Sequence, residues 1–119
     1  SLSNTNLTGS IPSSIDWLFE LSYLSLSYSA LMGSIPSAIF RLTKLYYLSL
    51  SNTALTGSIP NMNSLFKVTY LSLSYNALTG SIPSSIYWLT QLSYVSLSNN
   101  MLTGSIHSKI FKLPQLAYL

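Results

Sequence analysis

The sequence predicts an α/β repeat solenoid with a parallel β-sheet on its concave face, short 3₁₀ or helical returns on its convex side, and uncapped ends. Three observations predict it. A Gly-Ser-Ile string recurs at Gly9, Gly33, Gly57, Gly80 and Gly104, with spacings of 24, 24, 23 and 24 residues. A fixed period of that size belongs to stacked units, each of which buries its apolar face only against the next. Within each unit, leucine alternates with serine or tyrosine over a short run, which is the period of a half-buried strand. Between one strand and the next, apolar residues return at wider intervals after a proline, as they do in a short helical turn.

The third unit shows each element. Leu45, Leu48 and Leu50 face the core, while Ser49 and Ser51 point the other way. Leu55 and Ile59 return to the core, with Gly57 permitting the tight backbone between them. After the proline position, Ile15, Ile39, Ile86 and Ile110 begin the return, and Leu18, Leu42, Leu65, Leu89 and Leu113 end it. Because every connection repeats the last, successive strands run parallel, about 4.8 Å apart. The fourth unit is one residue short, between Pro60 and Leu65. A tighter convex turn is expected there, with Met62 standing in for the lost isoleucine.

The motif L-x-x-L-x-L-S-x-N-x-L-T-G-x-I-P resembles the plant-type extracellular leucine-rich repeat. Its Leu-Thr-Gly-Ser-Ile-Pro string is intact at 7–12, 55–60 and 78–83, and it varies at one position at 31–36 and at 102–107. The resemblance covers the whole chain. It implies a concave sheet from the Leu-x-Leu strands and a second short sheet from the Thr-Gly-x-Ile segments. It also implies a buried asparagine ladder, which here reads Thr5, Ser29, Thr53, Asn76, Asn100; hydroxyls replace the amide in three of five units. The cysteine-bearing caps of that family are missing.

Composition narrows the function. Charged residues make up 6% of the 119, against 48% hydrophobic ones, and 25 serines supply much of the polar surface. The five cations form no run, so nucleic acid is not an expected partner. There is no cysteine, and no stretch approaches the length of a membrane-spanning helix. Acid–base catalysis lacks its groups: Asp16 and Glu20 are the only acids and read as a solvated convex face, and the single histidine, His107, replaces a turn proline. No enzyme, cofactor or metal site is expected. The reading is a non-catalytic module, extracellular or at the cell surface.

Chain phase suggests how the module is used. The chain begins Ser1-Leu2-Ser3 and stops at Tyr118-Leu119, which are successive parts of one strand. Residues 1–119 thus read as a single segment of five 23–24-residue repeats, in phase to continue at both ends. Ser1, Leu2, Tyr118 and Leu119 are the expected end-to-end contacts, with further copies or flanking repeats as partners. A building block of a longer solenoid or filament is therefore the first expectation.

The alternative is a ligand-recognition fragment of a receptor or polygalacturonase-inhibitor-like ectodomain, binding peptide, polysaccharide or protein on its concave face. Its candidate surface comprises the tyrosine column Tyr23, Tyr47, Tyr70, Tyr94 and Tyr118, the serine column Ser25, Ser49, Ser72 and Ser96, and Tyr28 and Tyr75, which alternate with Asn52 and Asn99. The bland explanation of these columns is strand-spaced stacking for stability. A second alternative is ice binding by the hydroxyl rows Thr8, Thr56, Thr79, Thr103 and Ser10, Ser34, Ser58, Ser81, Ser105, interrupted by Met32. Asn6-Leu7-Thr8 is a candidate N-glycosylation site at Asn6. Trp17 and Trp88 share a convex column, read either as partly exposed packing or as a lateral contact.

Overall fold

A computed structural model describes residues 8–104. The expected contacts and sites at Ser1, Leu2, Asn6, Ser105, His107, Tyr118 and Leu119 lie outside the described residues. Two four-stranded parallel sheets run side by side along the solenoid. The concave sheet holds β2 (Tyr23–Ser25), β4 (Tyr47–Ser49), β6 (Tyr70–Ser72) and β8 (Tyr94–Ser96), in that order. The second sheet holds β1 (Thr8–Gly9), β3 (Ala30–Ser34), β5 (Ala54–Ser58) and β7 (Ala77–Thr79). Register follows the repeat: Tyr23 pairs with Tyr47, Tyr47 with Tyr70 and Tyr70 with Tyr94. The resemblance-based expectation of two adjacent sheets therefore holds, and β3, β5 and β7 begin one residue before the motif leucine, at alanine.

The convex returns are 3₁₀ turns at Ser13–Trp17, Ser37–Arg41 and Ser84–Trp88. Each follows an extended proline (Pro12, Pro36, Pro83) that has no N–H to leave unpaired. Five residues is close to the usual limit for 3₁₀ geometry, and a short return keeps the convex side narrow enough for coils to stack. In the shortened unit, Asn61 Oδ1 accepts the Asn63 amide at 2.8 Å, and a single turn closed by the Leu65 N–H on Met62 O at 3.0 Å replaces the five-residue 3₁₀ segment. Met62 there is fully buried, and its N–H donates to Ser85 Oγ of the next coil at 2.9 Å.

The core is a continuous apolar column in which Leu48, Leu50, Leu55, Leu65, Leu71, Leu73 and Leu78 lose all solvent contact. Each of these leucines contributes roughly 2 kcal/mol of hydrophobic stabilisation. Polar crosslinks fix the turn that joins the two sheets. Asn76 Nδ2 donates to Leu50 O at 2.9 Å and to Leu73 O at 3.2 Å, while its Oδ1 accepts the Leu55 N–H at 3.1 Å and the Thr53 hydroxyl. Asn100 repeats the pattern with Leu73 O, Leu97 O and the Leu78 N–H. The hydroxyl substitutes do less: among the described residues Ser29 Oγ donates to Leu26 O of its own coil alone, at 2.7 Å.

Both acids lie on the convex side and pair with the next coil, Asp16 with Arg41 at 2.8 Å and Glu20 with Lys44 at 2.6 Å. These pairs are exposed and add at most a fraction of a kcal/mol each.

Asn76→Ala removes an amide that bridges two coils and strands the partly buried Leu55 N–H. It is expected to lower unfolding free energy by about 2 kcal/mol in urea denaturation, whereas Asn63→Ala on the exposed turn changes it little. A loss below about 0.5 kcal/mol for Asn76→Ala would show that the ladder does not hold the coils together.

Candidate concave recognition groove

The concave strands place identical residues one above another, and the tyrosine column becomes a continuous stack. Tyr23 and Tyr47 lie with ring centroids 4.2 Å apart and planes 9° from parallel. Tyr47 and Tyr70 are 4.3 Å apart at 8°, and Tyr70 and Tyr94 are 4.3 Å apart at 4°. In-register parallel pairing forces this arrangement, since each ring starts from a Cα about 4.8 Å from the next. Tyr46 approaches Tyr23 edge-on at 6.4 Å. Because the ring faces cover one another, the stack offers edges and hydroxyl tips to the solvent.

Burial raises the Tyr47 and Tyr70 hydroxyl pKa values above the usual tyrosine value; for Tyr70 the neighbouring phenols Tyr47 and Tyr94 add to it. Folding thus favours the neutral phenol. The stack's contribution is complete below about pH 10 and declines as pH rises from there towards the folded values.

The serines behave differently from the tyrosines. The sequence reading has them projecting outward as ligand-facing columns. Instead Ser25, Ser49, Ser72 and Ser96 are buried, as are Ser27, Ser51 and Ser74. The reason is length: a two-atom side chain between rows of rings ends well below the ring edges. The buried hydroxyls satisfy one another. Ser27 Oγ and Ser49 Oγ are 2.6 Å apart, Ser51 Oγ bonds Ser72 Oγ, and Ser74 Oγ donates to Ser51 Oγ at 3.1 Å. They form the floor of the concave face rather than its contact points.

Opposite the stack stands the column of Tyr28, Asn52, Tyr75 and Asn99. All four residues have left-handed backbone, with φ of 57°, 56°, 56° and 55°. Asparagine tolerates that region; tyrosine adopts it at a cost of order 1 kcal/mol or more. Sequence reasoning missed this, although the asparagines alternating in the column were the available signal. Tyr28 and Tyr75 are more than half exposed. Between the two walls runs a groove of about 360 Å³ whose lining carries no charged residue. The structure thus brings together the sequence-predicted Tyr23, Tyr47, Tyr70, Tyr94, Tyr28 and Tyr75 around the buried serines.

The other candidates lie elsewhere. Thr56, Thr79, Thr103, Ser10, Ser34, Ser58 and Ser81 are exposed or half-exposed along the second sheet, and the exposed Met32 breaks the row. Trp17 and Trp88 are 81% and 72% exposed on the convex side, so neither packs against the core. Among the described residues no cluster of His, Asp or Glu could hold a metal ion, and no helix is long and apolar enough to cross a membrane.

Comparison with known proteins agrees with this architecture. The family described as Leucine Rich Repeat matches residues 44–64, 67–89 and 91–113. No curated protein matches. Among solved structures, the chain is 41% identical to the plant peptide hormone receptor RGFR1 in complex with RGF2, with a TM-score of 0.92 over 96% of this chain and 18% of that one. It is 32% identical to the ectodomain of the receptor kinase SOBIR1 from Arabidopsis thaliana, with a TM-score of 0.91 over 98% of this chain and 64% of that one. To the Arabidopsis receptor kinase HAESA, in complex with the peptide hormone IDA and the co-receptor SERK1, identity is 32% and the TM-score 0.93, over 97% of this chain and 20% of that one. The chain thus spans about a fifth of RGFR1 and HAESA and under two thirds of SOBIR1. On its repeat matches, its two parallel sheets and its 3₁₀ returns, the chain belongs to the leucine-rich repeat family, in its plant-type form.

Proposed function

We propose that this chain is a ligand-recognition segment of a longer extracellular plant-type ectodomain, and that it binds its partner along the concave groove. The observation that carries the reading is the groove itself: a charge-free trough with a tyrosine stack on one side and exposed, left-handed tyrosines on the other. Tyrosine presents a large rigid contact area with a hydroxyl tip, which suits recognition of mixed polar and apolar ligands. That RGFR1 and HAESA are seen with RGF2 and with the peptide hormone IDA supports a peptide or protein partner. The absence of charge in the trough favours a neutral one.

The groove reading is tested by screening the 119-residue chain against arrays of neutral peptides and neutral oligosaccharides. A bound ligand is expected whose affinity falls about tenfold in Tyr47→Ser or Tyr70→Ser, since each opens a gap in the stack. The convex variant Trp88→Ser should leave it unchanged. A ligand that responds to Trp88→Ser and to neither tyrosine variant would move recognition to the convex side.

End-to-end assembly of copies into a filament is a second reading. Leu18 is 56% exposed on the first described coil, beside the exposed Trp17 and Phe19, an apolar face that a neighbouring coil, of this chain or of another copy, would cover. Sedimentation velocity over a hundredfold concentration range is expected to show growing, elongated species if this face meets another coil, and Leu18→Asp should abolish them. A single monomeric boundary at every concentration would remove the filament reading.

A further inference from the structure

We infer that Tyr28 and Tyr75 are paired stacking platforms, and that the groove's ligand is a neutral, proline-rich segment in polyproline II conformation lying along the solenoid axis. This rests on the concave-groove reading above and narrows its ligand class.

The argument starts from backbone cost. Tyr28 and Tyr75 share a column and a left-handed backbone with Asn52 and Asn99. Asparagine holds that conformation at little cost, and a bulky aromatic does not. Among the described residues no ring stack or side-chain hydrogen bond offsets the difference. The two side chains are 59% and 54% exposed, and among the described residues neither ring stacks on another and neither hydroxyl is hydrogen-bonded. Stability alone would put asparagine at all four positions. A strained aromatic that is left more than half exposed, with its hydroxyl unbonded, points to a contact with another molecule.

Spacing then selects the ligand. The backbone ladder is regular through this column: the Tyr28, Asn52 and Tyr75 N–H groups each donate at 3.0 Å to a carbonyl one coil on, those of Ser51, Ser74 and Ser98. The two tyrosines are two coils apart, so the backbone positions that carry their rings stand about 10 Å from each other along the axis. A polyproline II helix repeats every three residues, about 9 Å, and presents the same face at each turn. An extended β-strand ligand repeats its side chains at about 7 Å and falls out of step after one contact. Proline rings three residues apart would therefore rest on Tyr28 and Tyr75 together. Such a helix has no internal hydrogen bonds, and its carbonyls need donors. Asn52 stands between the two rings with its side-chain amide unbonded within the chain, and the hydroxyl tips of Tyr47 and Tyr70 line the facing wall. A groove with aromatic walls and no charge is the environment that such segments use elsewhere, because the ligand is already ordered before it binds.

The test titrates the 119-residue chain with three probes: a blocked, uncharged ten-residue oligoproline, a Gly-Ser peptide of the same length, and a neutral β-linked oligosaccharide. The oligoproline is expected to bind best, and Tyr28→Asn or Tyr75→Asn to weaken it by about tenfold. Because asparagine already occupies this column, both variants should fold, with the thermal midpoint raised by about 4 °C. Loss of binding together with a gain in stability is what a merely structural tyrosine would not give. Oligoproline binding no tighter than the Gly-Ser peptide, or indifferent to both asparagine variants, overturns the inference. If the oligosaccharide or an array peptide binds instead, and depends on Tyr47 and Tyr70 but not on Tyr28 and Tyr75, the inference falls while the groove reading stands. If no probe and no array member binds, both fall.

Discussion

Everything in this structure depends on one constraint: a coil cannot bury its leucines alone. Leu48 and Leu71 are wholly buried because each is covered on both sides by the same residue position one coil away. That requirement fixes the parallel register, and the register in turn stacks every other column. Burial supplies most of the free energy, while the asparagine bridges decide where the chain turns from one sheet to the next. The interruption between Pro60 and Leu65 shows the tolerance of the design. One residue is lost and the five-residue 3₁₀ segment with it, yet Met62 fills the site and its N–H reaches Ser85 of the following coil.

The same register separates the two faces by chemistry. On the convex side the chain has room for the long side chains of Asp16, Arg41, Glu20 and Lys44, which pair across coils in solvent. Among the described residues, the concave groove is lined by hydroxyls, amides and backbone groups, and the serine hydroxyls are turned towards one another. A partner approaching the concave face therefore meets aromatic edges and dipoles rather than ions. Binding there would draw little on long-range attraction and much on shape.

Much of this was legible from residue order. The Gly-Ser-Ile period and the alternation around Leu48 and Leu50 determine the coil, the strand and the buried side, because those features report backbone geometry directly. Tyr47 and Tyr70 could be placed on one surface for the same reason. What could not be read was depth. Ser49 and Tyr47 point to the same side of the strand, yet the first is floor and the second is wall, and only the packed height of neighbouring rings makes that difference. Nor does the pattern announce that Tyr28 must fold into a region suited to asparagine. A column that alternates between two such unlike residues gives the hint, but its backbone angle belongs to the assembled turn.

The two walls of the groove also differ in stiffness. Each ring from Tyr23 to Tyr94 is in face contact with its neighbours, so none can rotate without displacing the next. That side behaves as one plate, and it cannot be moulded by what lies against it. Tyr28 and Tyr75 stand singly, each more than half exposed and outside the ring stack. Adaptation to a ligand is thus confined to one margin of the trough. For the proposed ligand, the stack would be a fixed surface and the isolated rings an adjustable one.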